Sequence, residues 1–213
     1  TGNIATTGSG TLTVAGASNF GSVASGTLGS SVVLPAGTIL QVQGTQITAT
    51  DIAKTDNFGN GSAGTGTFHA ISVFEVTVSP KQTGSSFHIM FTVSLGATGS
   101  AEGMILLKRG YDSSGGTSFT YTDIKGNASG SATQTTMAFD YDWGYGDNDV
   151  VTRSCSIWDS SPSYVAGGKF KYTLYWNNKH NQDNDLYLNK PATVGGHENS
   201  TATSSIVVYE IAG

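Results

Sequence analysis

Phe87-His-Ile-Met-Phe-Thr-Val-Ser-Leu95 decides the fold. Phe87, Ile89, Phe91, Val93 and Leu95 are apolar at every second position, with His88, Met90, Thr92 and Ser94 alternating between them. Successive side chains of an extended strand point to opposite faces, so this spacing predicts a strand with one buried face. His88 then lies opposite Phe87 and Phe91, which predicts an exposed or interface histidine. The same period recurs at 169–176, where Phe170, Tyr172, Leu174 and Trp176 share a face. Segments rich in β-branched and aromatic residues occur at 38–48 (interrupted near Gly44), 68–78, 104–107, 118–122, 133–139, 151–158 and 205–211. About ten short strands separated by Gly, Ser, Asn and Asp clusters predict an all-β, antiparallel, jelly-roll-like sandwich. The gaps at 55–67 and 177–200 predict long loops, where such folds carry binding surfaces.

Composition excludes the main rivals. Charged residues are 12% of the 213, half the roughly 25% usual in globular domains, and a helical bundle needs more Glu, Lys and Arg than that. The 37% hydrophobic and 10% aromatic content is enough to build a core. A net charge of −5, with Arg109 and Arg153 the only guanidinium groups, argues against a nucleic-acid surface, which needs clustered cations. Cys155 is the only cysteine, so neither an intrachain disulfide nor a thiolate metal cluster is expected. No apolar run approaches the roughly 20 residues that span a bilayer, so membrane insertion is not expected. No basic segment followed by an apolar one opens the chain, and a start at Thr1 suggests a cleaved or partial polypeptide.

Residues 1–50 contain no Asp, Glu, Lys or Arg. Ser9-Gly-Thr-Leu12 recurs as Ser25-Gly-Thr-Leu28, and short apolar groups alternate with Gly and Ser. One copy of such a segment buries too little apolar surface to offset the entropy of ordering its backbone. It is either a disordered linker or a segment ordered against identical segments of sister chains; the lack of charge favours the second. Leu34-Pro35-Ala36-Gly37 predicts a turn, dividing an extended Gly/Ser/Thr-rich shaft or tether (1–37) from the sandwich (38–213).

Two polar clusters stand out. Asp140-Tyr-Asp-Trp-Gly-Tyr-Gly-Asp-Asn-Asp149 places four carboxylates within ten residues. These could wrap Ca²⁺, although the closing Glu of an EF-hand is missing, or they form an acidic, Gly-bent loop. Its Tyr141, Trp143 and Tyr145 either pack the sandwich end or a subunit contact, or stack on sugar rings. Trp176-Asn-Asn-Lys-His-Asn-Gln-Asp-Asn-Asp185 is rich in amides, which suit hydroxyl-rich ligands and equally suit a solvated loop. Catalytic machinery is not expected. Glu75, Glu102, Glu198 and Glu210 are scattered, offering no carboxylate pair. His69, His88, His180 and His197 lack metalloenzyme spacing, and Cys155 reads as an inert buried thiol. Neither a metal nor a cofactor is expected.

Several stretches together resemble a family of structural proteins of tailed phages, especially marine and cyanobacterial ones. Thr6-Thr-Gly-Ser-Gly-Thr-Leu-Thr-Val-Ala-Gly16 resembles the shaft repeats of tail fibres, and Ser25-Gly-Thr-Leu-Gly-Ser-Ser-Val-Val-Leu-Pro-Ala-Gly-Thr-Ile-Leu-Gln-Val42 the junction into a terminal domain. Val76-Thr-Val-Ser-Pro-Lys81, Phe87 to Leu95 and Leu106-Leu-Lys-Arg-Gly110 resemble the family core, and Ser204-Ser-Ile-Val-Val-Tyr-Glu-Ile-Ala-Gly213 its close. The region 111–199, with both polar clusters, departs from the common form. The resemblance implies a virion protein at the particle surface, usually a homotrimer, with an N-terminal shaft bound to other phage proteins and a β-sandwich knob. The expected partner is a host-surface glycan or protein, bound without covalent chemistry. Display in three copies raises avidity by roughly 10²–10⁴ over one weak site. Contact is expected through Trp143, Tyr145, Asn177, Asn178 and His180. The alternatives are a capsid decoration (cement or head-fibre) protein and a cellular carbohydrate-binding or adhesin module.

Overall fold

A computed structural model describes residues 34–54, 67–98, 103–130, 132–139, 149–178, 185–193 and 200–213; the expected shaft up to residue 33 lies outside them. The strands are β1 (Ile39–Ile47), β2 (Ala53–Lys54), β3 (His69–Val78), β4 (Ser86–Ala97), β5 (Gly103–Asp112), β6 (Thr120–Ile124), β7 (Met137–Ala138), β8 (Val151–Asp159), β9 (Lys169–Asn178), β10 (Leu186–Leu188) and β11 (Ser204–Ile211). No helix occurs among the described residues. One sheet runs β1-β11-β4-β8, with β10 continuing beside β4 where β11 stops and β2 beside β10. The other runs β3-β9-β5-β6, with β7 also on β5. Every pairing is antiparallel. Leaving out the short strands β2, β7 and β10, the long strands in chain order occupy positions 1-8-3-6 in one sheet and 2-7-4-5 in the other. That pairing, two interlocked Greek keys, is a jelly roll.

The period-two pattern builds the core as expected. Phe87, Ile89, Phe91, Val93 and Leu95 of β4 face Phe170, Tyr172, Leu174 and Trp176 of β9 across the sandwich, all buried. Phe170 meets Phe87 edge to face at 5.4 Å and lies 5.2 Å from Tyr111, a geometry that aromatic quadrupoles favour. A register shift between Ala70 and Glu75 changes the parity of β3, so that Ile71 and then Phe74, Val76 and Val78 all point inward.

Some boundaries differ from expectation. β1 passes through Gly44 unbroken, because a Cβ there would come within 2.9 Å of the Ile206 carbonyl oxygen; glycine permits the close approach of β11. β5 extends to Asp112 because Lys108 to Asp112 pair with β9 throughout. Of 133–139 only Met137–Ala138 is strand, while the Thr136 amide still donates to the Ile105 carbonyl at 2.9 Å. The expected loop at 177–200 begins later: Asn177 and Asn178 finish β9, held by Met104 and Gly103, and residues 186–188 form β10.

Register also defines the two ends. Ile39, Ile211 and Ser86 lie level with one another, as do Tyr111, Phe170 and Val78, at what we term the terminal pole. Ile47, Ser204, Leu95 and Val151 in one sheet, and His69, Trp176 and Gly103 in the other, lie toward the opposite connection pole. The links β1–β3, β4–β5, β6–β8 and β9–β11 therefore all leave and rejoin the sandwich at the connection pole. Three of them, all but β4–β5, are the longest links of the fold; the terminal pole has the links β3–β4, β5–β6 and β8–β9, the start of β1 and the end of β11.

Two far-separated segments lock the terminal pole. The Thr38 amide donates to the Pro35 carbonyl at 3.1 Å around Gly37, whose φ of +84° suits glycine, and the Gly37 amide donates to Ala212 at 2.8 Å. Glu210 points inward and is fully buried. Its carboxylate accepts from the Lys81 amide at 2.7 Å, the Gln82 amide at 3.2 Å, Ser85 Oγ at 2.8 Å and Gln41 Nε2 at 2.5 Å. That many donors offset the cost of burying the charge. The Ser79-Pro80-Lys81 turn and the C-terminal strand are thereby one structural unit.

Candidate functional surfaces

The connection pole rests on a network of small polar side chains. Asn189, buried and with φ of +61°, donates through Nδ2 to the carbonyls of Ile47 and Ala49, both at 3.0 Å. Its Oδ1 accepts from Ser204 Oγ at 2.6 Å, and that hydroxyl in turn accepts the Ser94 amide at 3.0 Å. A short amide tolerates the left-handed backbone and satisfies the carbonyls that β1 leaves at its end. Asp185 is tied in as well: its amide donates to Thr98 Oγ1 at 2.8 Å, and its carboxylate accepts the Tyr187 hydroxyl at 2.9 Å.

Five residues were expected to make contacts. Trp143, Tyr145 and His180 lie outside the described residues, as does the Asp140 cluster except Asp149. The chain departs from β7 and returns to β8 at the connection pole, and departs from β9 and returns to β10 there, so those residues belong to links anchored at that end. Asn177 and Asn178 are strand residues at the same end, and both are buried. The side-chain amide of Asn177 makes no hydrogen bond among the described residues. The expectation that these two amides sit on an exposed loop is corrected: pairing with β5 carries β9 through them. Among the described residues no group of three or more His, Cys, Asp or Glu is arranged to hold a metal ion.

A second surface, which the sequence reading did not single out, is the outer face of the β1-β11-β4-β8 sheet. Register aligns its outward residues in rows. Trp158, His88, Tyr209 and Val42 form one row across all four strands; Ser156, Met90, Val207 and Gly44 form the next; Ser154, Thr92, Ser205 and Gln46 the third. The His88 and Trp158 rings stack at 4.7 Å and 10°, with Tyr209 6.0 Å beyond His88. Down the β4–β8 boundary runs a ladder of bonds: His88 Nε2 to Ser156 Oγ at 2.6 Å, Thr92 to Ser154 at 2.9 Å, Ser94 to Thr152 at 2.7 Å. Between Met90, Ser154, Ser205 and Tyr209 lies an open groove of about 200 Å³. The signal for this face was present in the residues between the core positions of β4.

The remaining reactive types are accounted for by packing and pairing. Arg109 Nη1 bonds Asp159 Oδ1 at 2.6 Å, and the Tyr172 hydroxyl donates to Oδ2 at 2.9 Å. Burial, reinforced by the Asp159 charge, holds that hydroxyl well above the ordinary phenol range. The arginine of the Leu-x-Arg-Gly stretch thus ties β5 to β8 and β9. Cys155 packs against the core and is half-buried rather than fully enclosed, and burial raises its thiol pKa, which keeps it protonated.

Neither a protein-family model nor a curated protein matches the chain. Among solved structures, a chain of infectious bursal disease virus, Gx strain, is similar over 90% of this chain and 43% of that one, at 10% identity and a TM-score of 0.37. The protein spans less than half of that viral chain.

Proposed function

We propose that this chain is a virion structural protein of a tailed phage, the terminal jelly roll of a trimeric fibre or spike that attaches to the host surface by non-covalent binding. The observation that carries the reading is polarity. β1 begins and β11 ends at one pole, and the three longest links, including those that hold the aromatic- and amide-rich segments, are anchored at the other. A knob mounted by one end and displaying its longest connections at the far end is built for contact. The resemblance to phage structural proteins supports it, and so does the placement of the stretches behind that resemblance: Val76 to Lys81 and Ser204 to Gly213 meet at Glu210. The use of the polar side chains supports binding rather than catalysis. Glu210, Arg109, Asp159 and Asn189 are engaged in holding strands together.

A decoration protein of the capsid is the second reading, since an uncharged outer sheet face also suits attachment to a shell. Copy number separates the two, hundreds per particle for decoration and tens or fewer for fibres. The main test is adsorption. Replacing Trp143, Tyr145 and His180 together by Ala is expected to reduce binding of particles or purified protein to host cells at least about tenfold, the scale on which a few aromatic anchors dominate interfaces. Unchanged adsorption by a folded triple variant overturns the assignment of the contact.

A further inference from the structure

We infer that the outer face of the β1-β11-β4-β8 sheet is the surface through which copies of this chain pack together. The inference rests on the assembled-spike reading above and deepens it by naming the contact.

Charge comes first. Not one outward residue of these four strands is Asp, Glu, Lys or Arg, in a chain of net charge −5. Two copies meeting through this face have no ions to desolvate, whereas the Lys171–Glu75 and Lys108–Asp123 pairs of the opposite outer face would have to be dehydrated. Apolar exposure points the same way. Of the six large apolar residues exposed among those described, four lie here: Ile39 at 56%, Val42 at 49%, Met90 at 44% and Trp158 at 55%. Met90 also lines the open groove on this face, so the face carries both protrusions and a hollow. Area is adequate. Four strands of about eight residues cover roughly 20 Å by 26 Å, and the corrugated surface of such a patch is of the order of the ~800 Å² per partner in a stable interface. Finally, β1 borders this face, and in the sequence the 33 residues that precede Leu34 carry no Asp, Glu, Lys or Arg either. A charged partner would leave the face's neutrality unexplained; a second and third copy of the same neutral face does not.

The test uses the full chain. Light scattering reports assembly mass, and acrylamide quenching reports the exposure of Trp158, isolated as the difference between the native chain and Trp158→Phe. A mass of a multiple of 22.0 kDa together with a shielded Trp158 is expected. Met90→Lys is expected to weaken association about tenfold or more or, where the leading residues keep copies tethered, to expose Trp158 to quencher. The same lysine at Thr77, on the opposite outer face, is expected to change neither. A multimer in which Trp158 is quenched as freely as an exposed indole overturns this face and leaves the fibre reading standing. A native chain that stays monomeric at all concentrations overturns both. The native-chain quenching decides the matter even if Met90→Lys fails to fold.

Discussion

The two outer faces of this sandwich share a core and differ in chemistry. On the β3-β9-β5-β6 sheet, Lys171 Nζ lies 2.8 Å from Glu75, and Lys108 and Lys125 flank Asp123 at 3.3 and 3.1 Å. Lysine ammonium groups also cover aromatic rings there, Lys108 at 4.6 Å from Tyr175 and Lys171 at 5.2 Å from Phe119. Each charge has a local partner, and the ring faces are capped by the same side chains, so water completes this surface. On the β1-β11-β4-β8 sheet the outward positions hold hydroxyls, one histidine and bare apolar groups, and the sheet keeps its carboxylates, Glu210 and Asp159, pointing inward. Identical backbone geometry thus supports one face finished by solvent and one that is not. The lesson is that period two assigns inside and outside, while the identity of the outside residues reports what the outside faces.

The comparison can be broken most severely through Glu210, whose charge lies on the inner side of the sheet with the uncharged outer face. Glu210→Ala leaves the Lys81 and Gln82 amides without their acceptor and should cost about 2–4 kcal/mol in denaturant unfolding. A loss below about 0.5 kcal/mol, the range of neutral surface changes, would mean the lock at the terminal pole is dispensable. Charge on the solvated face should matter far less. Lys171→Ala is expected to cost no more than about 1 kcal/mol, the usual worth of a surface pair. That difference should shrink in 1 M salt, where screening acts within about 3 Å, whereas Thr92→Ala on the neutral face should show no salt dependence. Equal salt sensitivity for the two would erase the distinction between the faces.

Acid provides the mildest probe. Asp112, outward at the end of β5, accepts from Ser114 Oγ at 2.6 Å, the Ser114 amide at 2.8 Å and the Ser118 amide at 2.7 Å. These donors, the Ser114 hydroxyl foremost, hold its carboxyl below the ordinary aspartate value. A depressed folded-state pKa means that the stabilisation is complete above the unfolded value, near 3.9, and is lost as pH falls through the lower folded value. Asp112→Asn should therefore narrow the stability difference between pH 7 and pH 2.5. An unchanged pH profile would show that the turn does not depend on the ionised carboxylate.

How much of this was legible depended on the range of the interactions. Phe87 to Leu95 and Phe170 to Trp176 carried their periodicity in a few adjacent residues, and the core strands follow from it. Gly44 was read as a break because a glycine alone does not say whether a backbone neighbour approaches; Ile206 does. Asn177 and Asn178 opened an amide-rich run and were read as loop, yet Met104 and Gly103 of β5 extend the strand through them. Glu210 looked like one of four scattered glutamates because its donors lie 125 to 169 residues away along the chain.

From the residues alone came the class of fold, the inward sets of 87–95 and 170–176 and the neutrality of the leading segment, because alternation and composition are local properties that every conformation of the chain retains. Tertiary structure alone decided that Trp158, His88, Tyr209 and Val42 form one row, that the long links share one pole, and that Glu210 closes the other. Those relations join residues separated by tens to more than a hundred positions. They exist only once strand order and register have been chosen among many pairings that the same periodicity allows.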